Sequence, residues 1–184
     1  GEGVEIVVVD LNCGLGQVGY RAGGDVVAIY YDAKAGGAES RRFWHDEYLL
    51  NAYIGRYPKP YVAIMDGITM GGGVGISAHG SVRVVTDTTK MAMPEVGIGF
   101  IPDVGASHFL PRLCGGGARG LAVAIYLGTT GVRMNSADAL YTGLATDLID
   151  DDERNAFVDA IGANGLQEAL RRFGLERSAA GESA

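Results

Sequence analysis

Short apolar segments alternate with longer segments of helical character along this chain, and this alternation limits the folds that it can adopt. The apolar runs with the length of buried strands are residues 4–10, 61–65, 82–87, 90–93 and 144–149. The runs predicted to be helical are residues 40–57, 71–79, 107–113, 118–127, 137–141 and 151–173. Strands that alternate with helices predict an α/β fold with mostly parallel strand pairing.

The length and composition fit one folded domain. A chain of 184 residues, 47% apolar and 20% charged, buries a sizeable core and does not have the composition of a disordered protein. We predict a core over residues 1–150, a helical segment over 151–173 and a flexible tail over 174–184. Ser136 is predicted to cap the helix at 137–141, and Gly162 and Gly165 are predicted to break the last helical run.

The charge and the cysteines argue against several classes of function. A formal net charge of −7 argues against a nucleic-acid partner, because binding phosphates requires a basic face. No run of 18 apolar residues occurs, so a membrane span is not expected. Cys13 and Cys114 have neither metal-site nor disulfide spacing, which favours a reducing compartment. We expect a cytoplasmic protein without a metal, and the mitochondrial matrix is the alternative if a leader has been lost.

Three glycines, residues 71–73, stand between a predicted strand and a predicted helix. The first N–H groups of a helix lack acceptors within it and favour negative charge, so this junction can hold a thioester oxyanion or a phosphate. Glycine here also permits close packing of the helix on the strand. The two interpretations are compatible, and both stay open.

Two carboxylates, Glu95 and Asp103, stand in an otherwise apolar and glycine-containing segment. Polar residues isolated in this way are either helix caps or functional groups. Asp103 could cap a helix near Ser107, whereas Glu95 follows Pro94 and has no such structural role. Carboxylates beside amides that hold an oxyanion are suited to proton transfer or to attack on an acyl group.

The helix predicted over 40–57 carries an acidic residue on its apolar stripe. At 100° per residue, the stripe contains Phe43, Leu50, Ile54 and Tyr57, and Glu47 falls within it. Burying an unpaired carboxylate is costly. Glu47 is therefore either a site residue or an edge residue that reaches water, and the sequence leaves both interpretations open.

Other motifs do not support a nucleotide cofactor or a serine triad. Residues 14–19 match G-x-G-x-x-G, but the adjacent Gly23 and Gly24 disfavour the helix that a dinucleotide site requires. Gly23, Gly24 and Asp25 form either an ordinary turn or one whose amides face a cavity. No G-x-S-x-G motif accompanies the three histidines. We therefore predict no cofactor.

Several motifs that follow one another along the chain resemble a known superfamily. They are Ala22-Gly23-Gly24-Asp25, Lys59 to Ala63, Gly67 to Gly75, Ala92 to Glu95, Pro102 to Gly105 and Phe109 to Leu113. Over residues 4–150 these motifs resemble the crotonase superfamily, also called the enoyl-CoA hydratase/isomerase superfamily. Within it they are most similar to the 3-hydroxyisobutyryl-CoA hydrolases.

The resemblance implies a fold, a substrate and an assembly. The fold would be α/β, a crotonase-like β-β-α superhelix. The substrate would be an acyl-CoA thioester, with coenzyme A as part of the substrate and not a cofactor. Hydrolysis of a short-chain 3-hydroxyacyl-CoA in valine catabolism is the expected activity, and a homo-oligomer, either a trimer or a hexamer, is the expected assembly. Members of the superfamily extend beyond both ends of this chain, so truncation at both ends is also implied.

The resemblance implies roles for individual residues as well. The implied oxyanion hole consists of the amides of Gly24 and Gly72. The implied catalytic residues are Glu95 and Asp103, with Glu95 either attacking the thioester carbonyl or activating water as a general base. The implied substrate-binding residues are Glu47, Gly23, Asp25 and Gly71.

One position separates the activities within the superfamily. The hydratases carry a catalytic glutamate two residues after the last glycine of the loop, and this chain has Gly75 there. Asp103 fits the pattern of the hydrolases, so the resemblance favours hydrolysis. The alternatives are an enoyl-CoA hydratase or isomerase that works with Glu95 alone, and a non-catalytic remnant that binds acyl-CoA.

Overall fold

The computed structural model of the chain describes residues 6–10 and 26–175. The strands are β1 (Val7–Asp10), β2 (Tyr61–Met65), β3 (Ile68–Met70), β4 (Val82–Val85), β5 (Lys90–Ala92) and β6 (Asp147–Leu148). The α-helices are α1 (Val26–Lys34), α2 (Ala38–Ile54), α3 (Gly72–Ala78), α4 (Ala106–Phe109), α5 (Gly117–Thr130), α6 (Ser136–Thr142), α7 (Arg154–Asn164) and α8 (Leu166–Phe173). Short 3₁₀ helices cover Glu95–Ile98, Leu110–Gly115 and Asp151–Glu153.

The strands form two parallel sheets that the chain visits in turn. One sheet has the order β1-β2-β4-β6, and the other pairs β3 with β5. Val62 of β2 lies opposite Val8 of β1 and Val82 of β4, which fixes the register. The chain runs through β2, β3 and α3, and then through β4, β5 and a 3₁₀ helix. Each turn thus gives one strand to each sheet before a helix, which is the predicted β-β-α superhelix.

The last two helices cover one face of the larger sheet. β2 is buried along its whole length, and a strand places alternate side chains on opposite faces. Val62 and Ile64 point to the face that α7 and α8 cover, where they pack with Phe157 and Phe173. The rings of Phe157 and Phe173 pack edge to face, with centroids 6.2 Å apart. This cluster joins the C-terminal helices directly to the sheet.

A larger apolar cluster anchors the segment that carries the two predicted catalytic carboxylates. Its buried members include Met65, Val74, Val85, Met91, Met93, Val104, Phe109, Leu110, Leu113, Leu127 and Met134. Met93 lies two residues before Glu95, and Val104 directly follows Asp103. Both ends of the segment are therefore held in the core, while residues 96–99 and 101, between the two carboxylates, are exposed.

The structure confirms most of the predicted elements and corrects several boundaries. The strands at 61–65, 82–87 and 90–93 and the helices at 71–79 and 118–127 are present within a few residues of the predicted limits. The helix after the turn at 135 begins at Ser136, so its cap is Asn135 and not Ser136. Asn135 and Asp138 each accept a hydrogen bond from the other's backbone N–H, the reciprocal pattern of a capping box.

The predicted helix breaks and the last predicted strand include more residues than the structure shows. Gly162 lies inside α7, and the helical run breaks only at Gly165. A Cβ atom added at Gly162 would meet nothing within 4 Å, so no close packing requires a glycine at this position of α7. The strand predicted over 144–149 is reduced to β6, which pairs only with β4.

The buried face of α2 differs from the predicted stripe. Phe43 and Leu50 are 39% and 48% exposed, so the prediction that they face the core is wrong. The inward-facing residues are Ser40, Trp44, Glu47, Asn51 and Ile54. At 100° per residue this line is rotated by about 60° from the predicted stripe. Glu47 and Ile54 belong to both lines, which is why the pattern placed Glu47 correctly on an inner face.

A buried ion pair joins the sheet to the C-terminal helices. Asp66, directly after β2, accepts hydrogen bonds from Thr86 Oγ1 at 3.0 Å and from Arg154 at the start of α7. Both charged side chains are largely buried. Burial would raise the pKa of Asp66, but hydrogen bonds from Thr88 and Thr86 and the charge of Arg154 together lower it below its ordinary value.

None of the helices in the described ranges has the length and apolar character that crossing a membrane requires.

Arg154→Met should lower the free energy of unfolding by about 3 kcal/mol, because it leaves a buried carboxylate without its cation. Urea denaturation at pH 7 measures this loss. The lowered pKa of Asp66 means that the pair stabilises the fold above the ordinary carboxylate pKa and ceases to do so as the pH falls through the lowered value. The difference between the variant and the wild type should therefore shrink in acid.

A matched control is Arg171→Met, which removes the cation of the exposed pair between Arg171 and Glu168 on α8. Exposed pairs contribute little, so this variant should unfold like the wild type. Equal losses in the two variants would contradict the structural role assigned to the buried pair.

Candidate active site

Glu95 is buried, and one of its carboxylate oxygens has no hydrogen-bond partner in the part of the chain that the structure describes. It begins the 3₁₀ helix after Pro94 and is only 7% exposed. Its Oε2 atom is fully buried and has no hydrogen-bond partner among the described residues. Burial raises the pKa of Glu95; its own backbone N–H opposes the increase and the charge of Asp103 adds to it. A buried, unpaired carboxylate oxygen is costly for stability, so its presence points to a chemical role.

Asp103 accepts a hydrogen bond from a side chain of α2 and does not cap a helix. The hydroxyl of Tyr48 donates to Asp103 Oδ2 at 2.8 Å. The following helix, α4, begins at Ala106 and is preceded by Gly105, with no side chain capping it. The alternative in which Asp103 caps a helix near Ser107 is therefore wrong, since the carboxylate is directed to α2.

Glu47 is the third carboxylate of the cluster. It lies on the inward line of α2, one residue before Tyr48, and is half-buried. Burial raises the pKa of Glu47 to about 7, with a further contribution from the charge of Asp103. Because Asp103 raises the pKa of both Glu47 and Glu95, the three carboxylates share one electrostatic environment. The structure thus brings together three residues that the sequence analysis singled out separately.

The glycine turn before α3 lies next to the strand that leads to Glu95. Gly71 donates its N–H to the carbonyl of Ala92 at the end of β5, at 3.3 Å. Its backbone angles, φ 53° and ψ −119°, belong to a region that only glycine occupies readily. Gly72 then begins α3, so its N–H is in the first turn, where the helix supplies no acceptor. Gly71 therefore lies against the end of β5, three residues before Glu95, and Gly72 follows it directly.

The position where hydratases carry a second glutamate is closed in this protein. A Cβ atom on Gly75 would lie 2.7 Å from Cβ of Val104 and 3.1 Å from Oδ1 of Asn51. Real Cβ atoms do not approach other atoms as closely as the first of these distances. Val104 itself has a φ of 45°, a strained value for a β-branched residue. The side chain of Val104 therefore fills the space that a residue larger than glycine would need.

His79 holds the same segment from the far end of α3. Its Nε2–H donates to the carbonyl of Val104 at 2.8 Å, and its ring packs edge to face with Phe109, with centroids 5.6 Å apart. Since the carbonyl can only accept, His79 carries a proton on Nε2. His79 thus supports the strained Val104, in keeping with the absence of a nucleophile motif around it.

Aromatic stacking fixes α2 against the loop between the carboxylates. The rings of Trp44 and Phe100 stack with centroids 5.5 Å apart and planes 11° apart. Asn51 lies on the same helix face, and neither polar atom of its buried side chain has a partner among the described residues. Sequence reasoning missed Trp44, Tyr48 and Asn51. The helical spacing from Glu47 would have pointed to Trp44 and Asn51, whereas Tyr48 is bonded to a residue 55 positions away and gives no local signal.

Some predicted site residues lie outside the described ranges. These are Gly23, Gly24 and Asp25, together with the G-x-G-x-x-G pattern at 14–19. Within residues 6–10 and 26–175, no three His, Cys, Asp or Glu side chains cluster as a metal site would require. Among the described residues, one cavity of about 620 Å³ and another of about 440 Å³ are lined by residues other than Glu47, Glu95 and Asp103.

The two alternating parallel sheets and the carboxylate cluster beside a glycine turn define an α/β protein of the crotonase-like type. The chain belongs to the enoyl-CoA hydratase/isomerase family, whose model matches residues 2–183. A crystal structure described as a carnitinyl-CoA dehydratase from Mycobacterium thermoresistibile is 60% identical, with a TM-score of 0.76. The match covers 84% of this chain and 44% of that one.

Curated relatives are similar over most of this chain but are much longer. A 3-hydroxyisobutyryl-CoA hydrolase, mitochondrial, from Danio rerio is 47% identical over 145 residues, which cover 79% of this chain and 36% of that protein. The small ribosomal subunit protein mS47 of Neurospora crassa is 46% identical over 136 residues, covering 72% and 26% respectively. The chain therefore spans about a third of the length of the curated hydrolases that it matches.

Gly75→Ala should lower the free energy of unfolding by about 1–3 kcal/mol, because its methyl group would overlap the side chain of Val104. Gly162→Ala is the matched control, since a methyl group there meets nothing within 4 Å. That substitution in α7 should stabilise the protein by up to about 1 kcal/mol through the higher helix propensity of alanine. Chemical denaturation of both variants measures the contrast. A Gly75→Ala variant as stable as the wild type would show that the site can open.

Glu47→Gln should change how stability depends on pH. The pKa of Glu47 is raised from 4.5 to about 7 in the folded state, so its contribution to stability is fully present below about pH 4.5 and is lost as the pH rises through 7. Glutamine is neutral at every pH, so the variant does not lose stability in this way. The melting temperature of the variant relative to wild type should therefore increase between pH 5 and pH 8.

Thermal unfolding at several pH values tests this expectation. Glu168→Gln serves as the control, because the hydrogen bond to Arg171 lowers the pKa of that exposed carboxylate. The control should lack the increase seen for Glu47→Gln. A melting-temperature difference for Glu47→Gln that is constant with pH would contradict the raised pKa.

Proposed function

We propose that this chain hydrolyses a short-chain 3-hydroxyacyl-CoA thioester of the 3-hydroxyisobutyryl-CoA type. The observation that carries the proposal is the arrangement at α3: Gly75 is closed by Val104, while Asp103 lies in the same electrostatic environment as Glu95. A second hydratase-type glutamate has no room, and the second carboxylate comes from a different segment. The names of the curated hydrolases support the same choice.

In the proposed reaction, the thioester carbonyl oxygen accepts hydrogen bonds from the N–H groups of Gly72 and Gly24. These donors would stabilise the negative charge that develops on this oxygen, and losing one such donor costs about 3–4 kcal/mol of transition-state stabilisation. The role of Gly72 is supported by its place at the start of α3, and that of Gly24 rests on the resemblance to the superfamily.

Glu95 would perform the main chemical step in one of two ways. Its carboxylate could attack the carbonyl carbon, so that the C–S bond breaks, an anhydride forms, the coenzyme A sulfur takes a proton, and water then cleaves the anhydride. Alternatively, Glu95 could remove a proton from a water molecule that attacks the carbonyl directly. The unpaired Oε2 of Glu95 and its raised pKa support either route.

Asp103 and Glu47 would orient the substrate and handle protons. Asp103 would hold the substrate hydroxyl or the attacking water and assist proton transfer. Glu47, with a pKa of about 7, would be partly protonated at neutral pH and could donate to or accept from the substrate. Together with Gly71, and with Gly23 and Asp25 by resemblance, Glu47 would line the pocket. The proposal involves no cofactor, because coenzyme A is part of the substrate.

Hydration or dehydration of an acyl-CoA is the second candidate. It is favoured by the 60% identity to the structure described as a carnitinyl-CoA dehydratase. It would have to proceed with Glu95 and without a glutamate at position 75. A non-catalytic role is a third candidate, favoured by the 46% identity to a ribosomal subunit protein.

Further parts of the proposal concern the cellular setting. A role in valine catabolism follows from the proposed substrate. The word mitochondrial in the names of the curated hydrolases is compatible with the mitochondrial alternative, and the cytoplasmic location stays a prediction. A homo-oligomer, trimeric or hexameric, also stays a prediction, as does the division into a core, a helical segment and a tail.

Glu95→Gln should reduce thiol release from 3-hydroxyisobutyryl-CoA by about 10³-fold or more, because the amide can neither attack the carbonyl nor accept a proton. Thiol release is followed with a thiol-reactive dye. Glu168→Gln, an exposed change on α8, should leave the rate unchanged and controls for handling of the variants.

Measurements of turnover and binding on the same proteins separate the three candidate functions. Loss of the enoyl-thioester absorbance from an enoyl-CoA, without free thiol, would favour the hydratase reaction. Acyl-CoA binding that survives Glu95→Gln, with no turnover of any thioester by a folded wild-type chain, would favour the non-catalytic role. Thiol release that persists in Glu95→Gln would overturn the proposed chemistry.

A further inference from the structure

We infer that Tyr48 is a positioning residue for the proposed hydrolysis: its hydroxyl holds the carboxylate of Asp103 in the orientation that the reaction uses. The inference rests on the proposed function, and it adds to it a residue to which the resemblance gives no role. It is drawn from the contacts of Asp103 and from what fixes the two residues on either side.

The contact is a single, well-formed hydrogen bond. Tyr48 Oη donates to Asp103 Oδ2 at 2.8 Å and joins residues 55 positions apart. Burial, the hydrogen bond to Asp103 and the charges of Asp103 and Glu47 all raise the pKa of Tyr48. The phenol therefore stays protonated across the physiological pH range and acts on Asp103 only as a donor.

The backbone at Asp103 is already fixed by other groups. Pro102 restricts the chain before it. The carbonyl of Asp103 accepts from the N–H of Ala106 at 2.7 Å, and the carbonyl of Val104 accepts from His79 at 2.8 Å. Only the side-chain torsions of Asp103 remain free to vary. A donor that binds one carboxylate oxygen sets these torsions, so Tyr48 determines where the carboxylate points.

The hydrogen bond leaves one oxygen for the reaction. Within the described ranges, Oδ2 of Asp103 accepts from Tyr48 and no hydrogen bond is made by Oδ1. Holding Oδ2 on the α2 side leaves Oδ1 to meet a substrate hydroxyl or a water molecule. Without the phenol donor, the carboxylate could rotate and present either oxygen, and fewer molecules would have the productive geometry.

Tyr48 is itself held in place. It stands one helical turn after Trp44, whose ring stacks on Phe100 in the loop that leads to Asp103. That stack fixes the distance between α2 and the loop, and thus the distance that the phenol must span. Tyr48 is 40% exposed, so its hydroxyl contributes little to the stability of the core. A role in the reaction accounts for the contact better than a role in folding does.

Tyr48→Phe is the test, because it removes the hydroxyl and keeps the ring. We expect the kcat for thiol release from 3-hydroxyisobutyryl-CoA to fall by about 5–30-fold, with KM changed by less than about twofold, because the loss is of orientation and not of binding. The melting temperature should stay close to that of the wild type. Tyr53→Phe, on the same helix and 58% exposed, is the control and should leave kcat unchanged.

The split between kcat and KM distinguishes positioning of Asp103 from a purely structural effect. Loss of the phenol donor leaves the substrate contacts in place and lowers only the fraction of bound complexes with the productive carboxylate orientation, so kcat should fall while KM stays close to that of the wild type. In Tyr53→Phe both values should stay those of the wild type.

The results test the positioning role of Tyr48 and the proposed function separately. An active wild type with an unchanged Tyr48→Phe variant would overturn the positioning role and leave the proposed function standing. A lower kcat with KM raised by a similar factor, or with a lowered melting temperature, would also overturn it in favour of a structural role. A folded wild type that hydrolyses no acyl-CoA would overturn the proposed function, and the positioning role with it.

Discussion

The candidate site depends on the absence of a side chain at Gly75. There α3 approaches Val104 and Asn51 so closely that a Cβ atom would lie 2.7 Å from Val104. Because α3, α2 and the loop bearing the carboxylates meet at this point, the approach brings Asp103 within electrostatic reach of both Glu47 and Glu95. The residue that α3 approaches here, Val104, also has a strained φ of 45°. The absence of a side chain at Gly75 therefore allows packing so close that a glutamate has no room there, and the same packing brings the three carboxylates together.

Much of the fold could be predicted because it depends on local patterns. β2, β4 and α3 follow from apolar runs and from glycines, and the order of strands and helices gives parallel pairing. β3, with three residues, is too short to show a period, and α1 has no buried residue to form a stripe. The missed rotation of α2 has a similar cause: its exposed face carries large apolar side chains, which biased the projected stripe.

The site was only partly predictable, for a different reason. Glu95 and Glu47 stand out as carboxylates in apolar surroundings, so the cost of burying charge marks them in the sequence. The partner of Asp103 could not be found in this way, since Tyr48 is 55 residues away and ordinary in its own helix. The pair of Asp66 and Arg154, 88 residues apart, is equally invisible before the chain folds. Contacts between distant helices and strands depend on how those elements pack in the folded chain. Local sequence patterns do not contain that information.

The packing of α7 and α8 on the larger sheet bears on how this protein can be shortened. Those helices cover Val62, Ile64 and Val84, and their first residue supplies the cation for Asp66, which directly precedes the loop to β3. Removing residues after 150 would uncover the apolar face of the larger sheet and leave the carboxylate of Asp66 without its cation. A shortened protein of that kind would expose this apolar face and aggregate, so loss of activity on truncation would say little about which residues carry out the chemistry.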